Sequence, residues 1–160
     1  MKIAVFAVGR MKAGPERDLA TRYLDRFARS GPAVGLDFAG LTEIAEGRGA
    51  SAAERAREEA ERLLAFADDK AALVLLDERG KTFSSPQFAE RLALLRDDGR
   101  RLAVFAIGGP DGHEERLRQR ADLVWSLSPL TWPHQMVRIM LAEQLYRATT
   151  ILSGHPYHRA

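Results

Sequence analysis

Leu102-Ala103-Val104-Phe105-Ala106-Ile107-Gly108-Gly109-Pro110-Asp111-Gly112 is an unbroken apolar run that ends in three glycines within five positions. The run shows no polar alternation, so it reads as a strand buried on both faces, as in a parallel sheet covered by helices. The glycines let backbone N–H groups approach a ligand without interference from a Cβ; an ordinary strand-to-helix turn would use them as well. The pattern is not GxGxxG, and GxxxxGK[ST] occurs nowhere in the chain, so neither a dinucleotide site nor a P-loop is supported.

Working outward, residues 72–76 (ALVLL) form a second buried run, and residues 2–8 a first strand too short for a membrane span. Residues 33–39 are a weaker strand and residues 122–127 a last one. Helical spacing fills the gaps: residues 15–29, then Ser51-Ala-Ala-Glu54 as a capping box opening a charged helix to about Phe66. Ser85-Pro86 starts a helix that Asp97-Asp98-Gly99 ends. A short polar helix covers about 113–120 and a long one 134–152, while the three glycines between Gly40 and Ala50 suggest a mobile loop. Alternation of strand and helix predicts one α/β domain over residues 1–160, a mostly parallel sheet flanked by helices. Ligands then bind outside the carboxyl ends of the strands, which directs attention to the loops after Leu76, Ile107 and Leu127.

Composition bounds the rest. With 46% hydrophobic and 29% charged residues, 160 positions suit one globular domain. The absence of cysteine excludes a disulfide scaffold and a thiolate metal site, and a cytoplasmic, membrane-free protein is the expectation. Net charge is only +2, but its distribution is uneven. From His134 onward the chain carries Arg138, Arg147 and Arg159 against the single acid Glu143, with three of the four histidines.

Three further stretches have chemical potential. Leu127-Ser128-Pro129-Leu130-Thr131-Trp132-Pro133-His134 is fixed in an extended form by its prolines, and its backbone amides and apolar side chains suit an adenine pocket; a rigid connector would look the same. On the last helix Met136, Val137, Met140, Leu141 and Leu145 share a face for core or subunit interface. Arg138 and Arg147 fall elsewhere, solvated or paired with Glu143. The tail His155-Pro156-Tyr157-His158-Arg159 could stack on a base and pair with phosphate. Pro156 disfavours a helix that would align the histidines, so no metal site is expected. His113 reads as a plain surface residue in a polar loop.

Taken in order, these pieces carry a resemblance over almost the whole chain. Ala7-Val8-Gly9, Leu76-Asp77, Ile107 to Gly112, Ser126-Leu127-Ser128, Thr131-x-Pro133-His134, Arg138, Ala142 to Ala148 and His155-Pro156-Tyr157-His158 together resemble the RlmH (YbeA) family of SPOUT methyltransferases. Asp111 stands where relatives often carry Glu. The resemblance implies a C-terminal trefoil knot, a homodimer and S-adenosylmethionine as cofactor. It implies cofactor contacts at Leu76, Gly108, Gly109, Leu127, Ser128, Pro129, Leu130, Thr131 and Trp132. It further implies methylation of N3 of a pseudouridine in helix 69 of 23S rRNA within the 70S ribosome. On that reading His155, Tyr157, His158 and Arg159 serve the reaction, and Arg138, Arg147 and Arg159 hold RNA phosphates. The competing readings are a non-catalytic, ribosome-associated nucleotide-binding factor and a knotted tRNA methyltransferase.

Overall fold

The computed structural model describes residues 1–159. Five strands form one sheet: β1 (Lys2–Val8), β2 (Asp37–Ile44), β3 (Ala72–Thr82), β4 (Leu102–Ile107) and β5 (Leu123–Ser126). Their order is β2-β1-β4-β3-β5, and all four pairings are parallel. The helices are α1 (Pro15–Ser30), α2 (Ala52–Phe66), α3 (Ser85–Asp97), α4 (Glu115–Arg120) and α5 (His134–Leu152).

The period of two along each strand divides the core. Ile3, Val5, Ala7, Val74, Leu76, Phe105 and Ile107 face α1, α3 and α5, meeting Phe27, Phe88, Leu92, Leu141 and Leu145. Ala4, Phe6, Val8, Leu73, Leu75, Val104 and Ala106 face the other way, onto Ala60 and Leu63 of α2 and Leu117 of α4. The stretches Ile3–Val8, Ala72–Leu76 and Leu102–Ile107 are apolar throughout because both faces of the sheet are covered there. On α5, Leu141 and Leu145 are core residues, while Met136 is exposed.

Three expectations are corrected. The second strand runs from Asp37 to Ile44, not over 33–39, because Gly31–Val34 forms a 3-10 turn closed by Gly35 at φ +72°. The stretch from Gly40 to Ala50 is not a mobile loop: it belongs to β2 as far as Ile44, and beyond it the amides of Gly47, Arg48 and Ala50 donate to the carboxylates of Glu59, Glu58 and Glu54 at 2.9, 2.9 and 2.8 Å. Arg62 adds a bond of 3.0 Å to the carbonyl of Ala45, so one face of α2 holds the segment down. The cap of α3 is Ser84, in a reciprocal box with Gln87, and Ser85 lies inside the first turn. Among the described residues, no helix is long and apolar enough to cross a membrane.

Candidate active site

Strands β4, β3 and β5 are neighbours, so the loops that follow them rise side by side. They enclose an open cleft of about 260 Å³, close to the lower end of small-molecule pockets at roughly 300 Å³. Leu76, Gly108, Gly109, Leu127, Ser128, Leu130, Thr131 and Trp132 line it, together with Asp77, His113, Arg118 and His134. Pro129 does not line the cleft; it sits exposed at the tip of the last loop.

That last loop is organised around Ser128. Its carbonyl accepts from Ser126 Oγ at 2.8 Å, and its Oγ accepts from the Leu130 amide at 3.1 Å and from Trp132 Nε1 at 2.7 Å. Beneath it Trp125 stacks on Phe88, with centroids 4.1 Å apart and planes at 17°. Strand β3 closes the floor in an unusual way: Leu76 and Lys81 both pair with Trp125, so residues 77–80 bulge out of register. Gly80 is required there, since a Cβ would lie 2.6 Å from the Val124 backbone.

The bulge and the glycine turn bring three charged or polar groups together. Arg118 Nε donates to Asp77 Oδ2 at 2.8 Å, and the Arg79 amide donates to Asp77 Oδ1 at 2.9 Å. Burial pushes the Asp77 carboxyl up, but those donors outweigh it and its pKa lies below the usual carboxylate value. His113 is not a surface residue: it is only 8% exposed, packed under Gly108 with Asp77 and Arg118 beside it. Burial lowers its pKa below 6.5 against the opposing pull of Asp77, so the ring is held neutral, and its Nε2 has no partner among the described residues. The sequence signal for this is the position of His113, directly after the turn of a doubly buried strand.

A lowered folded pKa means that the unfolded chain takes up the proton first as pH falls. The contribution of His113 is therefore complete above pH 6.5 and is lost as pH drops through the lower folded value. Asp77 follows the same sign, but its contribution is lost only below the usual carboxylate value of 3.8. The urea midpoint of the wild type is expected to fall between about pH 8 and about pH 5, and the midpoint of His113→Gln to fall less. Equal losses in both proteins would refute the assignment to His113.

Helix α2 props the glycine turn from outside. Arg55 donates to both oxygens of Asp111, at 2.7 and 3.1 Å, and to the carbonyl of Gly49 at 3.3 Å. The Arg55 guanidinium holds the Asp111 carboxyl below its usual range. Glu59, 5% exposed, lies directly behind Gly109. These residues escape a reading of the sequence because they are far along the chain from the turn they support, Arg55 lying 56 positions from Asp111.

The tail lies elsewhere. Among the described residues it does not line the cleft of its own chain; it folds back on α5. Tyr157 donates to Glu143 Oε1 at 3.0 Å, and its ring lies 4.8 Å from Tyr146 and 4.8 Å from the Arg147 guanidinium carbon. Burial, Tyr23 and Glu143 all push the Tyr157 phenol up, so it stays protonated. Arg147 pairs with Glu143 at 2.5 Å and donates to His158 Nδ1 at 3.3 Å. The Tyr157 amide donates to His155 Nδ1 at 3.1 Å. Neither donor can accept, so Nδ1 is the accepting nitrogen of both rings and Nε2 is left free of them. Arg159 is exposed.

Arg138 departs from the solvated reading. It is 6% exposed and pairs with Glu43, not Glu143, while Nη2 donates to the carbonyls of Val8 and Gly9 at 2.9 and 2.6 Å. Its guanidinium fixes the end of β1 within the chain and is not displayed to a phosphate.

A doubly wound sheet with glycine-rich and proline-rich loops meeting over its carboxyl edge defines an α/β domain with its ligand site at that edge, and it carries no dinucleotide fingerprint. Residues 1–158 match the family described as "Predicted SPOUT methyltransferase", and the chain belongs to that family. It is a methyltransferase. Among curated relatives, "Ribosomal RNA large subunit methyltransferase H" of Mesorhizobium japonicum is 67% identical over 160 residues, covering 100% of both chains. The proteins of the same name from Brucella anthropi and Brucella abortus (strain S19) are 61% and 58% identical, again over 100% of both chains.

Proposed function

We propose that this chain methylates N3 of a pseudouridine in helix 69 of 23S rRNA, using S-adenosylmethionine, within the assembled 70S ribosome. The observation that carries the reading is the cleft itself: the three loops that a methyl donor needs converge on one open site, in a chain alike end to end to relatives named for ribosomal RNA methylation. The enzyme works in the cytoplasm as a homodimer with α5 in the interface. Its C-terminal segment forms a trefoil knot, as the family it belongs to implies.

The residues present suit the cofactor. Leu76, Ile107 and Leu127 offer apolar walls for an adenine, and the amides around Gly108, Gly109 and Ser128 to Trp132 offer its polar edges partners. Buried His113 packs under Gly108 and supports that wall from behind. Bound there, S-adenosylmethionine would supply an electrophilic methyl group. The protein's contribution is alignment, since an in-line transfer depends on orientation more than on a catalytic functional group.

A second copy brings its tail to the cleft, because the tail of the same chain is docked on α5. His155 and His158 then orient the nucleobase through Nε2–H, in keeping with the occupied Nδ1 of each. As the N3–CH3 bond forms, the N3–H bond breaks and the proton leaves to water; either histidine would accept it instead only after giving up the bond at Nδ1. Tyr157, held protonated, stacks on or donates to the base, while Arg147 and Arg159 hold phosphates; Arg138 acts by setting the end of β1. Turnover unchanged by His155→Ala with His158→Ala would remove both histidines from the reaction.

The test is methyl transfer from labelled S-adenosylmethionine to 70S ribosomes lacking the modification, with free 23S rRNA and tRNA alongside. Label is expected at N3 of the helix 69 pseudouridine, and only with assembled ribosomes. Transfer to tRNA instead would reassign the substrate, and no transfer to any RNA would refute the reading.

A further inference from the structure

The cleft is not isolated on the surface. A groove at the end of β1 shares Pro110 and His134 with it. That groove shares Arg10 and Met11 with another, between α1 and β2, which in turn shares Arg17 and Thr21 with a third on the outer side of α1. A continuous depression therefore leads from the methyl-transfer cleft, past the end of β1, to the first two turns of α1.

Its charge sets it apart. Residues 10–22 contain four cations, Arg10, Lys12, Arg17 and Arg22, and two acids, which leaves twenty of each sign in the rest of the chain. The whole net charge of +2 thus resides in this one segment. All four cations are exposed, and among the described residues none is ion-paired. Other arginines are committed: Arg55, Arg100, Arg118 and Arg120 each hold a carboxylate at 2.6–2.8 Å. The acid that lines the middle groove, Glu43, is taken up by Arg138 and by the Met11 amide at 3.0 Å. Glu46 lines the groove at the end of β1, and Asp18 and Asp25 line the outermost groove beside Arg22, so the middle groove, with Arg10 and Arg17 and its one acid already engaged, is where cations are least opposed.

We propose that this depression is a backbone track for the substrate RNA, with Arg10 and Arg17 each holding a phosphate of the strand that leaves the target nucleotide. The proposal rests on the ribosomal RNA reading above. It places phosphate contacts at Arg10, just past β1, and at Arg17 in the first turn of α1, at the opposite end of the sequence from the basic tail. Exposed, unpaired guanidinium groups along a groove are the arrangement that backbone binding uses, since each neutralised phosphate releases counterions and adds to the salt dependence of affinity.

The experiment is co-sedimentation of the full chain with 70S ribosomes over a range of salt, alongside methyl transfer. Arg10→Gln with Arg17→Gln is compared with wild type and with Lys70→Gln plus Arg116→Gln, exposed cations away from the track. The track predicts about tenfold weaker ribosome binding, a salt slope shallower by about 1.4–2, a raised KM and an unchanged kcat and cofactor affinity. The control pair should leave all of these in place, and thermal unfolding should be the same in all three. Binding and salt slope equal to wild type in the Arg10, Arg17 variant would overturn the proposal. The binding arm reads independently of turnover: a wild type that binds ribosomes but methylates nothing would count against the proposed reaction, while loss of binding in the variant would still support the track.

Discussion

Arg138→Met is expected to lower the unfolding free energy by about 3 kcal/mol and to loosen the end of β1. The guanidinium is 6% exposed and serves three acceptors from three positions: the Glu43 carboxylate and the carbonyls of Val8 and Gly9. Removing it leaves two carbonyls unpaired and Glu43 with the Met11 amide alone. Breaking a buried pair from one side costs roughly 3–5 kcal/mol, because the remaining charge is stranded. The lower end applies here, since the Glu43 side chain is 25% exposed and water can reach it. Arg138→Lys should recover little, as one ammonium cannot reproduce a planar fork across three acceptors. Arg138→Met with Glu43→Gln should recover part, because the stranded charge is gone. Urea unfolding of the four proteins decides it. A loss under 1 kcal/mol in Arg138→Met, or no recovery in the double variant, would show that the ion pair does not hold the end of β1.

The same residue illustrates how far the sequence could be read. Strand β4 and helix α5 follow from it at their observed bounds, because an apolar run of six and a 3.6-residue spacing over nineteen positions are strong local signals. The three ligand loops follow from the rule that open parallel sheets bind at their carboxyl edge, and the cleft lies there. Strand β2 was less legible: it is an edge strand with mixed burial, so its hydrophobic pattern is faint. The segment 45–50 looked mobile because its glycines are local, whereas the carboxylates that fasten it lie a turn and more along α2. Arg138 and Glu43 are 95 positions apart, and nothing in helical spacing connects them. His113 was masked by its polar neighbours, although its own side chain turns inward under Gly108. Periodicity reports which face of an element is covered; it does not report which distant charge a buried polar group meets.

Gly109→Ala is the second large effect, and here the constraint is space rather than backbone angle, since Gly109 is not among the glycines with positive φ. A Cβ at this position would lie 2.8 and 2.9 Å from the carboxylate oxygens of Glu59 and 3.1 Å from a methyl of Val8. Glu59 is the end of a side chain, but it is not free to give way: it is 5% exposed, and one oxygen accepts the Gly47 amide at 2.9 Å. Either the carboxylate moves and releases segment 45–50, or the turn moves outward and narrows the cleft that Gly108 and Gly109 line. Overpacking of this kind costs about 1–3 kcal/mol. Displacement of the turn is expected to weaken S-adenosylmethionine binding by about tenfold or more, which corresponds to ~1.4 kcal/mol. Gly109→Ala with Glu59→Ala creates the missing room, so the pair should couple, and cofactor affinity should return toward that of Glu59→Ala alone. Calorimetric titration of the cofactor with the wild type, both single variants and the double variant measures this directly. Strictly additive losses would mean that the Glu59 carboxylate does not set the position of the turn; a strong coupling would make this helix α2 side chain part of what shapes the cofactor cleft from behind.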